Sequence, residues 1–176
     1  MEYYNSNIQL DKKVIDDIFE NFKPETKMLV FGLGYDSKMW FQGNPKTYFI
    51  ENKDEYIELN KVIPVENIIK YDYQNINVLK SFFLNINQIS NYKIPEKIMK
   101  HAPYDIILID GPMGDNSHKP GRLIPCFWAT KLSKKGTLIY IDDSLRKLES
   151  YCIRSLFKNN EKTIFPNRNQ STKIIF

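Results

Sequence analysis

The sequence predicts an α/β protein: a mostly parallel, Rossmann-like sheet of seven strands, with helices on both faces and an antiparallel strand at the C-terminal end. Three observations carry this expectation. Short apolar runs alternate with amphipathic stretches, the pattern of strand–helix–strand units. The first of these runs, Met28-Leu29-Val30-Phe31, stops at Gly32-Leu33-Gly34 and a polar turn, Tyr35-Asp36-Ser37. The later runs end on acidic residues, Glu51, Asp72, Asp110 and Asp142-Asp143.

Each element follows from its own stretch of chain. Leu10, Val14, Ile18 and Phe22 recur at four-residue steps, so 8–22 reads as an amphipathic helix that Lys23-Pro24 ends, a cover beside the first strand. After the glycine turn, Ser37 is a good N-cap for a helix through Gln42, broken at Gly43-Asn44-Pro45. Thr47–Ile50 is a second strand, residues 52–61 look helical, and Val65–Tyr71 is a third strand. Residues 75–88 read as one helix with Val78, Leu79, Phe82, Phe83 and Ile86 on its apolar side. A polar connection with a turn near Ile98-Met99 leads to the fourth strand, Tyr104–Asp110, apolar on both faces and therefore central. Leu123–Leu132 is a helix, Thr137–Ile141 the fifth strand, and Ser144 caps a helix to Phe157. Residues 162–165 and 172–176 close the chain as a hairpin around Pro166–Gln170.

At 176 residues the chain is long enough for one domain with a full core, spanning 1–176, with 1–24 as the helical cover. A net charge of +4 from scattered lysines gives no basic stripe, so no nucleic-acid partner is expected. No apolar stretch is long enough for a membrane span and the first residues lack a signal-peptide core, so a soluble, intracellular protein is expected. Cys126 and Cys152 form no disulfide or zinc framework.

Parallel sheets carry function at the carboxyl ends of their strands, where every conspicuous polar residue falls. Gly32 and Gly34 would let backbone approach a ligand closely. Glu51 is placed to accept hydrogen bonds from both hydroxyls of a nucleotide ribose, or else is a helix-start charge. Asp110, Asp142 and Asp143 supply three hard oxygen donors at one rim and suit Mg²⁺ or Mn²⁺, or else they cap the segments that follow. Acidic strand ends so close together would repel unless something positive sits among them.

The strand, glycine turn, Glu51 and Asp110 resemble class I S-adenosylmethionine-dependent methyltransferases over nearly the whole chain. The phrases FGLGYDSKMW, IENKDEY, DIILIDGPMG and PGR are similar, more narrowly, to the polysaccharide-biosynthesis family of glucuronoxylan 4-O-methyltransferases. The general methyltransferase turn has an acidic residue before it and a third glycine, where this chain has Val30 and Asp36. The resemblance implies that Phe31, Gly32, Leu33 and Gly34 wrap the methionine part of S-adenosylmethionine, with Asp36 and Ser37 nearby. It implies that Glu51 holds the ribose and Asp72 or its neighbours the adenine edge. The resemblance further implies that Asp110 lies beside the transferred methyl, and the arrangement of Asp110 with Asp142-Asp143 is similar to the Mg²⁺ site of catechol and sugar O-methyltransferases.

The expected reaction is therefore methyl transfer to a sugar hydroxyl of a glycan. Asp110, with an ion on Asp142 and Asp143, takes the hydroxyl proton. Met113 to Arg122 forms the acceptor loop. Arg122 pairs with an acceptor carboxylate such as a uronic acid, or is an ordinary helix-start residue. His118 is a second proton acceptor, or simply a solvated loop histidine. Three alternatives remain open. Gly32-x-Gly34-x-x-Ser37 with Glu51 nearly fits a nicotinamide-dependent oxidoreductase, although no tyrosine-x-x-x-lysine pair is present. A nucleic-acid or protein methyltransferase is opposed by Asp110-Gly111-Pro112-Met113, which differs from the usual aminomethylating turn. A non-catalytic methyltransferase-like module is the third.

Overall fold

The computed structural model describes residues 7–176. The part of the expected cover that falls in residues 1–6 lies outside the described residues. Seven strands form one sheet in the order β3-β2-β1-β4-β5-β7-β6. They are β1 (Met28–Phe31), β2 (Thr47–Glu51), β3 (Ile68–Lys70), β4 (Tyr104–Ile109), β5 (Ser133–Ile141), β6 (Glu161–Phe165) and β7 (Ser171–Ile175). The pairs from β3 to β5 are parallel, whereas β7 runs antiparallel to both β5 and β6. The expected α/β architecture and its antiparallel end are both present.

Side chains alternate across the central strands and divide the core in two. Met28, Val30, Ile106 and Leu108 face one cluster, with Val14, Ile18 and Trp40 from α1 (Lys12–Glu20) and α2 (Ser37–Gly43). Leu29, Phe31, Ile107 and Ile109 face the other, which contains Trp128 and Leu148. Those two residues come from α7 (Leu123–Leu132) and α8 (Lys147–Leu156). α7 buries residues all round, as a helix wedged between sheet and neighbour must. Its Pro125 falls in the first turn, where the missing N–H had no intrahelical partner anyway.

The first helix is shorter than expected because the Asp11 carboxylate accepts a hydrogen bond from the Lys13 N–H and starts it there. Ile8 and Leu10 are still buried, as a non-helical segment running onto α1. A short helix, α3 (Asp54–Leu59), follows β2, and the third strand is reached through a 3₁₀ turn at Val65–Asn67.

The single helix expected over 75–88 is instead two short pieces, α4 (Val78–Ser81) and α5 (Ile86–Ile89). Asn85 and Gln88 exchange side-chain-to-backbone hydrogen bonds, a reciprocal cap that starts a new helix where the old one would have continued. As a result Leu79, Phe82 and Phe83 are exposed instead of buried. The turn near Ile98 is helical, α6 (Glu96–Met99). Ser144 does not cap α8: its hydroxyl bonds to Gln170 and Thr172 of the β6–β7 hairpin, and α8 begins at Lys147. Among the described residues no helix is long and apolar enough to cross a membrane.

Candidate active site

The carboxyl ends of β1, β2, β4 and β5 open onto a cleft of about 330 Å³. Gly32, Leu33, Gly34, Asp36, Glu51, Asp110, Met113, Arg122, Asp142 and Asp143 line it, and so do residues 7–10 of the N-terminal segment. Four expected site residues do not line it. The Phe31 side chain is buried in the core, where its ring lies 6.3 Å from that of Trp128. Ser37 is turned inward and accepts a hydrogen bond from the Gly34 N–H. Asp72 is exposed at the far side of β3, and His118 is exposed on the loop after β4. Proton transfer by His118 therefore has no geometric support.

Gly32 adopts φ +109, and a Cβ there would stand 3.1 Å from the Gly111 nitrogen. A Cβ on Gly111 would meet the Gly32 Cα at 2.8 Å. The two strand ends thus cross backbone to backbone, which only paired glycines allow. Glu51 fixes the turn from below: one oxygen accepts from the Leu33 N–H at 2.8 Å. The other accepts from Asn52 and Lys53 N–H groups at 2.7 and 2.8 Å. A carboxylate has about four acceptor sites, so Glu51 can hold the turn and still receive a ligand hydroxyl. Asp36 is buried and accepts from the Trp40 indole at 2.7 Å. Burial raises its pKa, the Trp40 hydrogen bond opposes the rise, and the Asp142 charge adds to it.

The positive charge demanded by the acidic rim is Arg122. Its side chain is 3% exposed, and its guanidinium donates to the backbone carbonyls of Asp110 and Asp142 and to Asp143 Oδ2, the last at 2.9 Å. Asp110 Oδ1 lies 3.4 Å away. An arginine held in this way is not free to grip a substrate carboxylate, which corrects the acceptor role expected for it.

Asp143 sits at φ +54, and its carboxylate is surrounded by nitrogen: Arg122, Arg146 at 2.8 Å and Asn169 at 2.8 Å. Asp142 accepts from the Ser171 hydroxyl at 2.6 Å. Among the described residues no group of three or more His, Cys, Asp or Glu side chains is gathered to hold a metal ion. The donor set of Asp110, Asp142 and Asp143 does not fit the expected Mg²⁺ or Mn²⁺ as arranged, because the Asp143 carboxylate is engaged by Arg122, Arg146 and Asn169 and that of Asp142 by Ser171.

Asp110 remains 36% exposed toward the cleft. Removal from water raises its pKa well above the usual carboxylate range; Arg122 opposes this, and Asp142, Asp36 and Asp143 reinforce it. Glu149, beneath the loop at Gly114, was not foreseen. It is fully buried and, among the described residues, neither carboxyl oxygen has a hydrogen-bond partner. The signal was available, since Glu149 falls on the buried stripe of α8 with Cys152 and Ile153.

Burial raises the Glu149 pKa, and Arg122 only partly offsets this. With the folded pKa above the unfolded one, the protonated form is favoured in the fold, and stability is lost as pH rises through the folded pKa. Glu149→Gln should raise the melting temperature at mildly alkaline pH, by about 2–4 °C for each kcal/mol recovered, and not in acid. Thermal melts across pH check this.

No family model matches the chain. Its fold is that of S-adenosylmethionine-dependent O-methyltransferases. A methyltransferase from Geobacter sulfurreducens aligns over 94% of this chain and 79% of its own, with TM-score 0.57 and 13% identity. An O-methyltransferase from Bacillus cereus in complex with S-adenosylhomocysteine (SAH) aligns over 98% and 84%, with TM-score 0.53 and 15% identity. The methyltransferase MycE, in complex with Mg, SAH and mycinamycin VI, aligns over 93% and 45%, with TM-score 0.56 and 14% identity.

In sequence the chain is similar to several Arabidopsis thaliana proteins. Protein IRX15-LIKE is 27% identical over 184 residues, 81% of this chain and 53% of that protein. Glucuronoxylan 4-O-methyltransferase 1 is 26% identical over 150 residues, 72% and 53%. The chain thus spans about half the length of the curated relatives it matches.

Proposed function

We propose that this protein transfers the methyl group of S-adenosylmethionine to a hydroxyl of a carbohydrate acceptor. The observation that supports this best is a shared cleft: the Gly32–Gly34 turn, the Glu51 carboxylate and the partly open Asp110 carboxylate all line it. The residues fit the donor. A glycine turn admits the amino-acid end, Glu51 has acceptor capacity left for a ribose hydroxyl, and residues 7–10 cover that side as part of an N-terminal cover. When bound, the donor supplies a methyl on a sulfonium, which leaves by in-line displacement.

The protein's own residues then align the acceptor and handle its proton. Asp110, its pKa raised, is poised as general base for the acceptor hydroxyl. Arg122 holds the Asp110 backbone and keeps the acidic rim from repelling itself, the work expected of an ion. Met113 and the loop to Gly121 would bound the acceptor side. The glycan class is supported by the similarity to a glucuronoxylan 4-O-methyltransferase.

The test is labelled methyl transfer to uronic-acid-bearing and neutral oligosaccharides, with SAH calorimetry alongside. Transfer to a sugar oxygen that survives exhaustive chelation is expected. A protein that binds no SAH overturns the reading, and activity abolished by chelation and restored by Mg²⁺ overturns the role given to Arg122.

A further inference from the structure

We infer that Arg146 is the residue by which the cleft selects an acceptor carrying a carboxylate, a role that rests on the methyl-transfer reading of the cleft. Among the described residues three cations line the cleft: Lys53, Arg122 and Arg146. Lys53 stands on the Glu51 side and pairs with Glu55 at 3.1 Å. Arg122 is enclosed, with its guanidinium bonded to strand-end carbonyls and to Asp143. Arg146 differs from both. Its side chain is 30% exposed, and its one guanidinium contact among the described residues is Nη2 to Asp143 Oδ2 at 2.8 Å.

A guanidinium has five N–H donors in a planar fork, so most of this one is unused. The carboxylates around it do not cancel it. Asp143 divides its charge between Arg146 and Arg122, and Asp142 is bonded to Ser171. Glu149 is held toward its neutral form by burial. Asp115, which also lines the cleft, is exposed to water.

Position adds to this. Asp143, fixed in a left-handed conformation, accepts from the Arg122 and Arg146 side chains through the same Oδ2. Arg146 is thereby anchored at one nitrogen, with the rest of its fork free beside the cleft that Asp110 lines. A carboxylate matches such a fork with two parallel charge-assisted bonds, and a pre-anchored guanidinium loses little freedom on making them. A neutral hydroxymethyl in the same place offers one weaker acceptor.

The experiment compares methyl glucuronoside with methyl glucoside, its carboxyl-reduced counterpart, as ligands of the SAH-loaded full chain, by NMR titration. The wild type is expected to hold the uronide at least tenfold tighter. Arg146→Gln is expected to hold both alike, with SAH affinity unchanged. Arg146→Lys, which keeps the ion pair to Asp143, is expected to retain part of the preference, separating recognition from a folding defect. A tenfold preference that survives in Arg146→Gln overturns the inference, as does a wild type without preference, while intact SAH binding leaves the methyltransferase reading standing. Failure of the wild type to bind SAH overturns both.

Discussion

Replacing Asp110 by Asn is expected to lower methyl transfer by about 10²–10⁴-fold, the usual contribution of a positioned general base, while SAH binds as before. The separation follows from geometry. On the proposed reading the donor is held by the glycine turn and Glu51, whose hydrogen bonds run to Leu33, Asn52 and Lys53 and do not involve Asp110. The Arg122 grip on residue 110 is chiefly through its backbone carbonyl, which Asn keeps, with the carboxylate more distant at 3.4 Å.

The wild-type pH profile carries a second signature. Only the ionised carboxylate accepts a proton, and burial places its pKa well above the ordinary range. The rate should therefore climb with pH along a limb displaced upward from normal carboxylate titration, and Asp110→Asn should abolish that limb. Initial rates across pH, with calorimetry of SAH binding to both proteins, decide the matter. Full activity in Asp110→Asn removes this side chain from the chemistry.

The largest expected effect on stability comes from Asp143→Asn. Asp143 is 6% exposed and answers two arginines, Arg122 and Arg146. Removing one partner of a buried ion pair costs about 3–5 kcal/mol, because the remaining charge stays out of water. For a chain of this size that corresponds to a melting temperature lower by about 6–20 °C. Asparagine tolerates φ near +54, so the substitution removes charge without adding backbone strain. Asp143→Ala should fall further, since alanine resists the left-handed conformation. A melting temperature within a degree of wild type would mean that Arg122 is held by the strand-end carbonyls alone.

Much of this site was legible in the sequence, for a physical reason. Apolar runs ending in glycine or an acid are local signals, and the parallel topology sends all such ends to one edge. Gly32, Glu51, Asp110 and Asp143 were placed together by that rule alone. What the local pattern could not show was the partner of the acidic rim. Arg122 follows a proline and a glycine, like any polar residue opening a helix. Its meaning comes from contacts to Asp110, Asp142 and Asp143, which lie far from it in sequence. Electrostatics required a positive charge there, and an ion and an arginine satisfy that requirement equally well on paper.

Phe31 and Ser37 were misplaced for a related reason. Strand alternation turns Phe31 into the core, and a short hydrogen bond to the Gly34 N–H draws Ser37 inward. The apolar periodicity over 75–88 predicts one helix, and the Asn85–Gln88 reciprocal cap interrupts it.

The clasp made by Arg122 also bears on how the molecule breathes. One side chain, rooted at the start of α7, ties the carbonyl of Asp110, just past β4, to that of Asp142, just past β5. Any excursion that lifts α7 from the sheet withdraws that tie and unties the floor of the cleft in the same motion. The floor of the cleft is thereby coupled to the docking of a whole helix.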